Sequence, residues 1–352
     1  MLKSTKIKLT ILISATFFLS QCKNDFKVND EWKDIAVIYG LLSSSDSINY
    51  IRVSKAFLGD GDSYTMAQVS DSLYYQNTTV KIEERINGNL TNTYNCLRID
   101  TFREPGIFAH NNIIFATNAV LLNNPDTKYK LLVFANNKEI TAETALIQDF
   151  PVYPINPIVQ LSSSTNKLSI TWSTPPIGKI YEPVVRFFYY DITSTDTTKK
   201  YLDITLDSQL STSKEGGEVM STSLIGTAFL HTVANIMPNN QNLIKRIVAK
   251  GSLEIRISVG SDEMYSYMQA TLPTSEMVTD KPNFSNINNG LGLFSTRFIK
   301  IVPVLPSLRF SLSQNTIDSL AFGKVNGPNG RNLKFIKYSP DTYVAWTSTL
   351  FP

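Results

Sequence analysis

Apolar residues recur at every second position in many short runs along this chain, the period of strands rather than helices. Ile35–Leu42 is an almost continuous apolar run, suited to a strand buried on both faces. Ile48–Lys55 follows a Ser/Asp turn, so the two pair as a hairpin. Thr79–Arg85 alternates, Asn87-Gly88 supplies a two-residue turn, and Thr91–Leu97 returns. Lys128–Ala135 and Glu139–Ala145 form another pair around Asn136-Asn137, while Ser63–Tyr74 carries a helical turn. Prolines 151, 154 and 157 exclude a helix interior and mark residues 151–160 as an extended linker.

Beyond the linker, Leu168, Ile170 and Trp172 share one face of a strand, and Val184–Ile192 and Gly251–Gly260 read as further strands. Ser221–Ile236 is loosely helical and stops at Pro238. Ser261–Thr271 predicts a short helix capped by Ser261 or Asp262. Final strands are expected at Arg297–Val302, Leu308–Leu312 and Leu333–Tyr338. The expected fold is mostly β, a two-domain β-sandwich with a first domain at 35–150 and a larger one at 161–352 carrying short helical insertions. A core Trp followed by Pro175-Pro176 makes the second domain fibronectin-like.

The N-terminus has a different pattern. Lys3, Lys6 and Lys8 precede an uncharged, mostly apolar stretch over Leu9–Leu19, too short to span a bilayer but right for an export signal. It ends in Leu19-Ser20-Gln21-Cys22, which resembles the lipobox of bacterial lipoproteins. The resemblance implies cleavage after residue 21, acylation of Cys22, and a polar tether over 22–34. Several acyl chains anchor stably where one is marginal. Lys23 stands where an Asp would signal inner-membrane retention, which favours the outer membrane and leaves its two faces open.

This changes the meaning of the formal charge of +3. Removing the leader's three lysines from 33 basic residues leaves 30, equal to the 30 acids. No basic footprint for nucleic acid remains. The 29 Asn, 35 Ser and 33 Thr instead give a polar surface that is largely uncharged. With Cys22 lipidated, Cys96 has no disulfide partner and reads as a small packed strand residue.

Ser285-Asn286-Ile287-Asn288-Asn289-Gly290-Leu291-Gly292-Leu293-Phe294 resembles the Ser-Asn-Ile-x-x-Gly-x-Gly-x-Phe segment of domain-of-unknown-function family 4249, lipoproteins of Bacteroidota. The upstream Met264-Tyr265-Ser266-Tyr267 resembles that family's aromatic helix. Residues 38–62 look more like a sibling group of the same phylum. The resemblance implies a transthyretin- or immunoglobulin-like first domain and a role near TonB-dependent outer-membrane receptors, with no established activity. Physically, Gly290 and Gly292 read as a bulged or tightly turned start to a core strand, the alternative being a ligand-facing loop.

Catalytic constellations do not emerge. His110 and His231 lack ligand spacing, and Glu83-Glu84 are adjacent strand residues facing opposite ways. Asp60 and Asp62 open like a calcium loop, but Tyr64 and Thr65 occupy positions that an EF-hand needs for a ligand and a Gly, which leaves a flexible acidic turn or a calcium site of another kind. No phosphate loop, dinucleotide fingerprint or nucleophile elbow is present, and no cofactor is implied. Tyr64, Tyr74, Tyr75, Tyr265 and Tyr267 fall outside the strongest strands and are the candidate binding residues, since aromatic faces suit glycan or peptide recognition. The expected function is a non-catalytic binding or assembly role at the outer membrane. The alternatives are a hydrolase of glycan or peptide, and a structural envelope component.

Overall fold

A computed structural model describes residues 34–56, 63–104, 106–237, 241–272, 284–303, 306–321 and 333–337. Cys22, Asp60 and Asp62 lie outside the described residues. The protein is mostly β, built on large mixed sheets; among the described residues they do not close into a barrel.

The first half follows the alternation closely. Strands β1 (Ile35–Leu42) and β2 (Asn49–Ala56) form the expected antiparallel hairpin. The helical turn after β2 is two short helices, α1 (Ser63–Ala67) and α2 (Ser70–Leu73). Next come β3 (Thr78–Ile86), β4 (Asn89–Phe102), β5 (Asn111–Thr117), β6 (Thr127–Ala135) and β7 (Lys138–Ala145). The turns are Asn87-Gly88 and Asn136-Asn137, and all four residues have positive φ, as twist-matched two-residue hairpins require. The returning strand after Asn87-Gly88 is longer than its alternation suggests. β4 pairs with β3 as far as Cys96, then with β5 from Leu97 onward, so two partners sustain one strand.

The second half opens with β8 (Ile158–Val159) and β9 (Lys167–Ser173). The Pro-rich stretch is extended, and it lies against β9 through Tyr153 N donating to Thr171 O at 2.8 Å. The expected face of Leu168, Ile170 and Trp172 is buried. The long β10 (Gly178–Thr193) pairs with β11 (Thr197–Thr205) and β12 (Gln209–Leu210). The loosely helical Ser221–Ile236 divides into strand β13 (Val219–Ile225) and helix α3 (Gly226–Ile236). Pairing with β9 holds Ser221–Ile225 extended, a tertiary partner overriding a weak helical period.

β14 (Leu243–Val248) and β15 (Leu253–Ser261) follow, and then α4 (Asp262–Thr271). Ser261 is the N-cap, its Oγ accepting from Met264 N at 3.2 Å. β16 (Gly290–Val302) starts earlier than expected, within the Gly-rich segment. The stretch Leu308–Leu312 is a 3-10 turn (Pro306–Leu308) and the two-residue β17 (Ser311–Leu312) rather than a full strand, because its β partners among the described residues are the short β8 and a single bridge to Leu253. Helix α5 (Gln314–Ala321) and β18 (Phe335–Lys337) complete the described elements.

One hydrogen-bonded path runs β18-β14-β10-β15-β16-β1-β2-β5-β4-β3-β6-β7. β16 is its hinge. Gly290–Thr296 pairs parallel with β1, while Arg297–Val302 pairs antiparallel with β15. Gly292 has φ +115, and a Cβ there would sit 2.0 Å from Ile38 O, so only glycine lets β16 approach β1 this closely. Two hydrophobic cores lie along the path. The first gathers Ile38, Ile51, Ile82, Phe115, Tyr129 and Ile140 with Ile287 and Phe294 from the Gly-rich segment. The second gathers Trp172, Tyr181, Phe187, Phe229, Leu320 and Phe335 with Phe298.

Candidate functional site

The five candidate tyrosines take different surroundings. Tyr64 is exposed on α1. Tyr74, expected at the surface, is buried: its hydroxyl donates to Asn112 Oδ1 at 3.3 Å and accepts from Arg103 Nη2 at 2.6 Å. Tyr75 is also buried, because the end of α2 turns both rings inward onto the first core. On α4, Tyr265 lies half-buried with Lys179 Nζ 6.0 Å from its ring centre. Tyr267 donates to Tyr39 Oη at 2.9 Å and packs edge-on against that ring. Burial, with the Tyr39 hydrogen bond, pushes the Tyr267 hydroxyl up to about 12.

Tyr75 forms part of an open groove of about 940 Å³, within the size range of small-ligand sites. The floor is set by the start of β3 and by the β6–β7 turn, and the lining includes Lys55, Gln76, Asn77, Arg98, Phe134 and Asn136. Asp34 organises one wall. Its Oδ1 accepts from Tyr75 at 2.6 Å, and its Oδ2 accepts from Asn136 Nδ2 at 2.7 Å and pairs with Lys138 Nζ at 3.2 Å. Desolvation alone would raise this carboxyl, but the hydrogen bonds from Tyr75, Asn136 and Lys138 outweigh it and hold Asp34 below the usual range. The same contact, after burial, raises the Tyr75 hydroxyl.

Two cations line the groove. Lys55 Nζ donates to Asp71 O at 2.9 Å and stands 5.0 Å from the Tyr75 ring centre. Arg98 Nε donates to Asp100 Oδ1 at 2.8 Å, with Nη1 toward Gln76 O at 3.4 Å. Phe134 presents a part-exposed ring, and Gln76, Asn77, Asn136 and Asn137 present side-chain amides. The arrangement offers donors, acceptors and aromatic faces to a polar ligand.

The remaining residues have structural roles or stand alone. Burial lifts the Cys96 thiol to about 12, which suppresses its thiolate. His110 is exposed and stacks on Phe102, and His231 is exposed on α3. Among the described residues no group of three or more His, Cys, Asp or Glu is placed to hold a metal.

Glu83 and Glu84 face opposite ways, as adjacent strand residues must. Glu83 pairs with Arg85, while Glu84 is fully buried. Glu84 accepts from Asn92 at 2.7 Å, Tyr94 at 2.9 Å, Thr91 at 3.0 Å and Tyr129 at 3.1 Å. The signal for this cage was present in β3, where Glu84 is in phase with the buried Val80 and Ile82. A second buried charge, Asp191, bonds Arg246 at 3.0 Å and Lys200 at 2.9 Å across three strands, a grouping that no local pattern announces.

No protein-family model matches the chain, and no curated protein matches it.

Proposed function

We propose that the protein is an outer-membrane lipoprotein, anchored by acyl chains on Cys22, with a non-catalytic binding or assembly role. Its finer architecture is a two-domain β-sandwich, the first domain transthyretin- or immunoglobulin-like and the second fibronectin-like. Two hydrophobic cores support two units, although the first core also takes Ile287 and Phe294 from the Gly-rich segment beyond residue 161. The groove beside Tyr75 takes a glycan or peptide ligand, and the partner protein is a TonB-dependent outer-membrane receptor. The resemblance to the Bacteroidota lipoprotein family motivates the receptor.

The observation that carries the binding reading is the groove's lining. Lys55, Arg98, Phe134 and four side-chain amides meet in one open concavity, a chemistry of recognition rather than of proton transfer. A hydrolase would need two carboxylates about 5–10 Å apart across its cleft.

Panels of envelope oligosaccharides and peptides test the groove. Phe134→Ala combined with Arg98→Ala should abolish binding of whichever probe the native protein retains, with the circular-dichroism spectrum unchanged. Binding that survives the double substitution sinks the assignment. Substituting Cys22→Ala should move the protein out of the membrane fraction; unchanged fractionation without acyl mass sinks the anchor.

A further inference from the structure

The strand registers place one end of the first core beside the start of the described chain. β2 runs antiparallel to both β1 and β5, and β5 antiparallel to β4. The beginning of β1, the end of β2, the beginning of β5 and the end of β4 therefore share one end. Asp34, immediately before β1, is held there by Tyr75. The Asn87-Gly88 turn and residues 118–126 lie at the opposite end, joined by Asn87 N donating to Asp126 O at 3.1 Å.

The same end carries a cluster of exposed apolar side chains from two separate segments. Phe102 is 74% exposed, Tyr64 58% and Ile107 56%, with Val69 and Phe108 beside them in the chain and also exposed. The segments are locked together. Gln68 Nε2 donates to the carbonyls of Gly106 at 2.8 Å and Ile107 at 2.5 Å, and Ala109 N donates to Ala67 O at 2.7 Å. The Phe102 ring stacks on His110 at 5.1 Å, and the Arg103 guanidinium stands 5.6 Å from the Phe108 ring centre. Single exposed apolar residues need no explanation, but a fixed cluster at one tip marks a contact surface.

We infer that this tip rests on the lipid bilayer, with Phe102, Ile107 and Phe108 entering its interfacial region. The inference builds on the proposed anchor. Eleven residues separate Cys22 from Asp34, at most about 40 Å of extended chain. An acylated Cys22 therefore holds Asp34 within about that distance of the membrane, so the end that bears it is in reach of the bilayer surface. Tyr64 suits the headgroup level, and the apolar Phe102, Ile107 and Phe108 suit the headgroup/acyl boundary beneath it. Lys55, Arg103, Asp71 and Glu104 mix both signs at this end, so the contact is apolar and insensitive to salt.

The test uses the full lipidated chain in phosphatidylethanolamine–phosphatidylglycerol vesicles with brominated acyl chains. A bimane label is placed at Ile107→Cys or, at the far end, at Asn123→Cys; the buried Cys96 stays unlabelled. Bromine should quench the label at 107 several-fold more than at 123, at low and high salt alike, and Phe102→Ser with Phe108→Ser should remove the difference. Acyl mass at Cys22 without selective quenching overturns the bilayer contact and keeps the anchor. Selective quenching without acyl mass keeps the contact and overturns the anchor. Shielding of the 107 label by a co-purifying protein assigns the tip to a protein partner and overturns the bilayer contact.

Discussion

Phe294 and Phe298 stand four residues apart on one strand, yet they fill different hydrophobic cores. The strand changes partner between them, from β1 to β15. Packing in one half of the molecule is thus covalently continuous with packing in the other. Phe294 is fully buried, and replacing it with Ala should cost about 3–5 kcal/mol. Chemical denaturation of the purified protein measures the loss.

Gly292→Ala should be at least as damaging. Its Cβ would meet the Ile38 carbonyl at 2.0 Å, against backbone rather than a movable side chain, at φ +115. We expect loss of the β1–β16 pairing, read as lost amide-exchange protection at Ile38 and Leu293. A protected, wild-type-like strand in the variant would refute the close approach.

Glu84 makes stability depend on acid. Burial would raise its pKa, but bonds from Asn92, Tyr94, Thr91 and Tyr129 together bring it below the ordinary value. A depressed folded pKa means that the carboxylate stabilises fully above the unfolded value, near about 4.3, and less as pH falls through the folded one. Stability should therefore drop on acidification below that value, and Glu84→Gln should flatten this limb in urea titrations at stepped pH. An unchanged acid limb would remove Glu84 as its source.

Asp191 should behave as the keystone of a buried charge group. Arg246 is as buried as Asp191 and also bonds Leu333 O at 2.9 Å. Asp191→Ala should cost about 3–5 kcal/mol, because it removes a carboxylate paired with a buried guanidinium. Replacing Asp191 together with Arg246 by apolar residues should recover much of that loss, and the thermal midpoints of the two variants give the comparison.

Cys96 should resist thiol reagents in the native state and react quickly in denaturant, since burial both shields the thiol and raises it to about 12. Rapid native labelling at neutral pH would contradict that burial.

The sequence by itself determined the local elements. Period-two alternation located β3, β6, β7 and β9, Asn87-Gly88 and Asn136-Asn137 located two tight turns, and Ser261-Asp262 announced the cap of α4, because each depends on neighbours a few residues away. It also held the Leu19-to-Cys22 pattern and the charge-balanced remainder. Tertiary structure decided what joins distant positions. It laid the Gly-rich segment against β1, some 250 residues earlier in the chain. It drew Ser221–Ile225 into a strand through β9, turned Tyr74 and Tyr75 inward, and assembled the groove from β2, α2, β4 and the β6–β7 turn. Those outcomes depend on which strand edges and apolar faces meet, and alternation along a single strand specifies which side is apolar but not which partner will cover it.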